Sequence, residues 1–146
     1  MIGSKNRSGY SLVDLVVSVA ILTVIAGAAS LSVQRSAPRQ RLLNAVREIH
    51  SRMNAARYRA IFKGSRVRIR FEPTGCTLED FDPIRGEWIP RPLVVFEGVT
   101  ITANNTPTFH PIGTVSNLAS IYVSNRAGRY RISIAISGRI RSAPVI

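Results

Sequence analysis

The chain is short of acid. Eight aspartates and glutamates stand against twenty basic residues, giving a formal charge of +12 at pH 7. It is nearly as short of lysine, since eighteen of those twenty cations are arginine. Arginine presents a planar fork of donors suited to phosphate and carboxylate, whereas lysine is a flexible point charge. An arginine excess can also reflect the base composition of a gene. Cys76 is alone, which excludes an internal disulfide and the cysteine-based zinc sites. The two histidines, His50 and His110, have no metal-ligand partner at a recognisable spacing. No glycine-rich loop that would cradle a phosphate is present, and nothing around Cys76 marks a nucleophile. These absences argue against an enzyme: no catalytic residue, no cofactor and no metal are expected.

What the chain does have is one long apolar run near its start. Residues 1–9 (Met-Ile-Gly-Ser-Lys-Asn-Arg-Ser-Gly) carry Lys5 and Arg7 and no acid, which favours keeping that end in the cytoplasm. Asp14 follows, and then nineteen uncharged residues from Leu15 to Val33. At about 1.5 Å per residue that run nearly matches the ~30 Å hydrocarbon core of a bilayer. A secretory signal has a shorter apolar region with a small-x-small cleavage site behind it. Ala26-Gly27-Ala28 imitates such a site, but the run is too long and Asp14 precedes it. A lone carboxylate in lipid is expensive and needs a partner.

Pro38 removes a backbone donor and crowds the preceding turn, so a kink or interruption is expected there. Beyond it Leu42, Val46, Ile49, Met53, Ala56 and Ala60 step by alternating fours and threes, the spacing of an amphipathic helix with one apolar stripe. Arg39, Arg41, Arg47, Arg52, Arg57 and Arg59 lie mostly off the stripe, as a solvated face would, and Gly64 is a stop signal. From Ser65 the period changes to two. Arg66-Val67-Arg68-Ile69-Arg70-Phe71 alternates, so Val67, Ile69 and Phe71 face a core while three arginines share the opposite face. Gly75 to Glu87 reads as a turn-rich, solvated stretch holding Glu79, Asp80, Asp82 and Glu87, half of the acids. Short strands are expected at Trp88-Ile89, 93–96, 99–101 and 120–123, with a turn from Asn125 to Gly128. In the last long strand Tyr130, Ile132, Ile134 and Ile136 point one way and Arg129, Arg131, Ser133 and Ala135 the other. Ser137-Gly138 breaks it, and Arg139-Ile140-Arg141 resumes it. The expected class is α+β: a long N-terminal helix packed on a small antiparallel, sandwich-like β domain. The roughly 110 residues after the first 35 suffice for one such domain.

Gly9-Tyr10-Ser11-Leu12-Val13-Asp14-Leu15 with the apolar run behind it resembles the class III signal of type IV pilins and type II secretion pseudopilins. The resemblance implies cleavage after Gly9 by a prepilin peptidase and methylation of Tyr10. It also implies an assembly role for Asp14 at the position normally held by Glu, pairing with the N-terminal ammonium of a neighbouring pilin subunit. Phe109-His110-Pro111-Ile112-Gly113, with the final Gly138-Arg139-Ile140-Arg141, resembles the GspH/FimT branch of minor pilins and pseudopilins. The implied layout is a leader over 1–9, a transmembrane and filament-core helix over 10–35, an amphipathic helix over 36–64 and a β-rich domain over 65–146. It implies a single-pass protein of the bacterial inner membrane with an extracytoplasmic domain, later part of a filament or its tip. Among FimT-like members the Gly-Arg-x-Arg segment is associated with DNA binding during uptake, which points to Gly138, Arg139 and Arg141.

Loss of Lys5 and Arg7 with the leader leaves the formal charge at +10. Arg66, Arg68 and Arg70 on one strand, and Arg129, Arg131, Arg139 and Arg141 near the end, would make a surface able to follow a polyphosphate by counterion release. Base readout has no visible basis. Two other readings stand beside DNA capture: a structural minor pilin or secretion pseudopilin that primes assembly through its arginines, and a basic anchored domain that never polymerises.

Overall fold

The computed structural model describes residues 12–145, without the side chains of residues 26–36. One helix, α1, runs from Leu12 to Lys63 with Pro38 inside it. The helix is therefore not interrupted at the proline: Pro38 lacks only its own amide donor, and its carbonyl accepts a hydrogen bond from Asn125 Nδ2 at 2.7 Å. The chain falls into two compact units, Met1–Ala37 and Pro38–Ile146.

In the first unit, Leu12, Leu15, Val16, Val19, Leu22 and Ile25 are all exposed, as apolar side chains pointing in every direction around a helix must be when nothing packs on them. Asp14 sits in the first helical turn, where a carboxylate is favoured by the helix dipole. Among the described residues no helix is long and apolar enough to cross a membrane. Residues 1–11, with the expected leader over 1–9 and Tyr10 among them, lie outside the described residues.

The second unit has its own core. The stripe Leu42, Val46, Ile49, Met53, Ala56 and Ala60 is buried throughout, and it shares one cluster with Val67, Ile69, Ile101, Phe109, Ile121, Val123, Ile132 and Ile134. Burying a side chain such as Ile49 contributes about 1.5–3 kcal/mol, so this face outweighs the chain's high charge. The strands are β1 Val67–Glu72, β2 Gly75–Asp82, β3 Glu87–Pro90, β4 Val94–Val95, β5 Thr100–Ala103, β6 Thr108–Phe109, β7 Val115–Ser116, β8 Ser120–Asn125, β9 Gly128–Ile134 and β10 Ile140–Val145. They form two sheets. The first runs β3-β2-β1-β6-β7 with β4 also on β2, and the second runs β10-β9-β8-β5. Every pairing is antiparallel. The α+β architecture with a helix packed on a small antiparallel domain is the one expected.

Two expectations fail. Gly75–Asp82 is not turn-rich: it is the longest strand among the described residues, paired with β1 from Gly75 to Asp80. Its acids are half-buried or buried rather than solvated, because cations from four other stretches of chain neutralise them. Ile136 does not continue the core face of β9 but is 64% exposed. The strand ends at Ile134, and a tight turn from Ala135 to Arg139 begins before the alternation can reach it.

Candidate nucleic-acid interface

The cations of the first sheet lie where alternation puts them, and most are already engaged. Arg68 stands opposite Glu79 and Arg70 opposite Thr77, on the face of β1 away from Val67 and Ile69. Glu79 has only 5% of its side chain exposed; Arg68 Nε donates to one of its oxygens, and Arg70 Nη2 lies 2.9 Å from the other. One residue on, Asp80 shares the face of Val67. It receives Arg59 Nε at 2.6 Å, Lys63 Nζ at 3.2 Å and Arg91 Nε at 3.1 Å. Arg66 stacks its guanidinium 3.9 Å from the centre of the Phe81 ring, and Arg68 stands 4.2 Å over Trp88. A cleft of about 400 Å³ beside these groups is lined by Arg68, Arg70 and Arg91 but also by Glu72 and Glu79.

The second sheet is different. After Glu97 the sequence contains no aspartate or glutamate at all, yet carries Arg126, Arg129, Arg131, Arg139 and Arg141. Among the described residues none of these five forms an ion pair. Register places three of them together. Arg131 is opposite Ala143 on β10 and Tyr122 on β8, and Tyr122 is opposite Thr102 on β5. On the next row of the same face, Arg129 joins Val145, Ser124 and Thr100. On the row to the other side, Arg141 joins Ser133 and Ser120. The opposite face of these strands holds the buried Ile101, Ile121, Val123, Ile132 and Ile134, so the arginine face is the outer one. Rows on one face are about 6.8 Å apart, two strand residues. The Arg129 guanidinium lies 4.2 Å over the Tyr122 ring.

Arg139 and Gly138 sit in the turn that joins β9 to β10. The amide of Gly138 donates to Ala135 O at 2.9 Å, and Ala135 N to Arg139 O at 2.9 Å. This is a three-residue hairpin loop whose last residue is left-handed, with φ +79° at Gly138. Gly138 is buried and offers no surface to a ligand. A Cβ there would come within 2.7 Å of Arg57 Nε and 2.9 Å of Gly113 O. Arg57 Nε itself donates to Gly113 O at 3.0 Å. The two short motifs, the one ending at Gly113 and the one beginning at Gly138, therefore meet on a helix arginine. Gly138 shapes the turn that presents Arg139, which is exposed, and Arg141.

Other reactive groups are locally satisfied. His50 Nδ1 is 3.2 Å from Asn54 Nδ2, and His110 Nε2 is 2.8 Å from Ser116 Oγ. Among the described residues no cluster of His, Cys, Asp and Glu could hold a metal ion. Cys76 is buried, and burial raises its thiol to about 11; Arg52 opposes the shift and Glu48 adds to it.

Sequence reasoning missed Tyr122 and Arg57, whose partners are distant in the chain. It also missed the clean divide at Glu97, which a count of acids along the chain would have found.

No family model matches the sequence, and no curated protein matches it. The fold does have counterparts. Two solved structures of the minor pseudopilin EpsH, from the type II secretion system of Vibrio cholerae, superpose on this chain. The first has a TM-score of 0.61 at 12% identity and covers 73% of this chain and 96% of its own. The second has a TM-score of 0.56 at 12% identity, covering 68% and 94%. The fold is thus that of a minor pseudopilin, as the N-terminal and C-terminal motifs led one to expect.

Proposed function

We propose that this chain is a minor type IV pilin that binds extracellular DNA without sequence preference, for uptake in natural transformation. Prepilin peptidase would cut after Gly9, Tyr10 would be methylated, and Asp14 would serve assembly with other pilin subunits. Residues 10–35 would hold the chain in the bacterial inner membrane, with the β domain outside the cytoplasm, until the filament takes it up. The observation that carries the DNA reading is the outer face of the second sheet. There Arg129, Arg131 and Arg141 share one surface with no aspartate or glutamate in their part of the sequence, and Arg139 stands in the adjoining turn. Unpaired guanidiniums keep their full counterion release for an incoming polyphosphate. Arg66, Arg68 and Arg70 belong to the basic surface expected from the sequence, but Arg68 and Arg70 share the charge of Glu79 and Arg66 lies on Phe81. Their part in binding is accordingly the smaller one.

The test is DNA binding by the full chain in non-ionic detergent as a function of salt. If about five phosphates are neutralised, the log–log slope is roughly −4 to −5. Replacing Arg139 and Arg141 together should weaken binding equally for unrelated sequences. Unchanged binding would remove them from the site.

A second reading is favoured by a different observation, the likeness of the fold to EpsH. On that reading the protein is a structural minor pilin or secretion pseudopilin that primes filament assembly, and its arginines meet acidic neighbours. Deletion of the gene would then abolish secretion while sparing DNA uptake.

A further inference from the structure

The outer face of the second sheet has a shape as well as a charge. A groove of about 370 Å³ opens beside Arg131, lined by Tyr122, Arg131, Ala143, Pro144 and Val145. Three of those five side chains are aliphatic, one is a phenol and one a guanidinium. Register explains the depression: Ala143 is the smallest residue of its row and lies between the larger Arg131 and the free edge of the sheet. Tyr122 is only half-buried, although it sits on a row flanked by polar groups, and Arg129 covers it with a cation rather than with an apolar neighbour. An aromatic ring, an apolar floor and two arginines within two rows of one sheet are ill suited to a phosphate backbone alone. Duplex DNA offers its phosphates outward and keeps its base faces stacked, so it would use the arginines and leave the groove unfilled. An unstacked base has a π face for the ring and the apolar floor, while its own phosphates reach the flanking guanidiniums.

We infer that this groove receives an unpaired nucleobase, so that the face prefers single-stranded to duplex DNA. The inference rests on the DNA-binding reading above and names the form of DNA that the same site takes. Charge selects the occupant. The comparable cleft on the first sheet also has arginines and Trp88, but Glu72 and Glu79 line it and would repel a phosphate. No aspartate or glutamate side chain lines the groove here. Stacking of this kind tolerates any base, in keeping with the absence of base-edge readout.

The test compares oligo-dT with a duplex of the same length, at one salt concentration, by fluorescence anisotropy on the full chain in non-ionic detergent. The wild type should bind oligo-dT at least about fivefold more tightly, the lower bound for one base stacked on one aromatic. Tyr122→Ala should lower oligo-dT affinity by about 5- to 150-fold and lower duplex affinity distinctly less, since duplex loses only the seat the ring gives Arg129. Tyr122→Phe should keep the preference, because the ring and not the hydroxyl carries it. Should Tyr122→Ala unfold the sheet, Tyr122→Leu keeps the bulk without the aromatic face and gives the same readout. Equal affinity of the wild type for both DNAs, or an equal loss for both in the Tyr122 variants, overturns the inference while DNA binding stands. A wild type that binds neither DNA overturns the binding reading and this inference with it.

Discussion

The two sheets of the β domain are built from similar strands and treat charge in opposite ways. In the first, Glu79 and Asp80 are neighbours in sequence on opposite faces of β2, and between them they engage Arg68, Arg70, Arg59, Lys63 and Arg91. These five cations hold the helix, β1 and the β3–β4 connection to one strand. In the second, the arginines stand on an exposed face with hydroxyls, one tyrosine and no acid. Cations that satisfy buried carboxylates are bound up in stability; those without one keep their charge unspent, and on the proposed reading they meet the ligand. The difference shows why net charge alone is a poor guide to a binding site. What matters is which arginines the fold has already used.

The comparison can be broken first at Glu79. Removing a nearly buried carboxylate leaves Arg68 and Arg70 facing each other without compensation, and Glu79→Ala should cost about 3 kcal/mol of stability, read from the urea midpoint. DNA affinity should hold or rise as those arginines are released. A fall in affinity matching the fall in stability would mean that the first sheet carries the binding. Next comes the mirror experiment. Replacing Arg129, Arg131 and Arg141 together with Gln should weaken DNA binding about a hundredfold and flatten the salt slope by roughly 2 to 3. Stability should stay within about 0.5 kcal/mol. The same treatment of Arg68 and Arg70 should change affinity less than about threefold.

A smaller effect is expected at the turn that links the arginine face to the helix. Gly138→Ala forces a side chain into the left-handed region and against Arg57, for a loss of about 2 kcal/mol. Its DNA affinity, measured below its melting point, should fall less than that of the double Arg139/Arg141 variant. An effect confined to alkaline pH, and so absent under ordinary conditions, belongs to the core under the first sheet. Burial holds the Cys76 thiol at about 11 against an ordinary 9.0. The unfolded chain therefore gives up this proton first. The contribution of Cys76 is complete below pH 9 and declines by up to about 1.4 kcal/mol per pH unit as the pH rises towards 11. Cys76→Ala should remove that share of the alkaline slope in unfolding curves. An unchanged slope would show that the thiol ionises alike in both states.

Local periodicity carried most of the fold. The four-three stepping from Leu42 to Ala60 and the alternation through Val67, Ile69 and Ile132 are properties of neighbouring residues, and each placed its element correctly. The acids of β2 were misleading for the converse reason. Asp and Glu close together look like a solvated turn when their partners lie far away in sequence, as Arg59 does from Asp80. Ile136 shows the limit of the same rule, because alternation continues on paper past the residue at which the chain turns. Of the candidate site, the identity of the C-terminal arginines was legible from their spacing. Tyr122 was not, since only the register of β8 against β9 brings it beside Arg129 and Arg131. Gly138 was legible as a motif residue, but its work is steric and depends on Arg57, some eighty positions earlier.

That meeting of Arg57 with Gly113 and Gly138 has a mechanical side. Tension on a strand of DNA held by Arg131 and Arg141 would enter the domain through β9 and β10, the hairpin whose loop is fastened against the helix at this point. If the chain is a filament subunit, as proposed above, a pull on the filament would reach the domain through this helix. Part of that load would then cross the Arg57–Gly113 hydrogen bond and the close packing of two glycines, beside the β8–β9 ladder and the shared core. Arg57→Ala should lower the force at which the hairpin detaches in single-molecule pulling, even where equilibrium DNA affinity is unchanged.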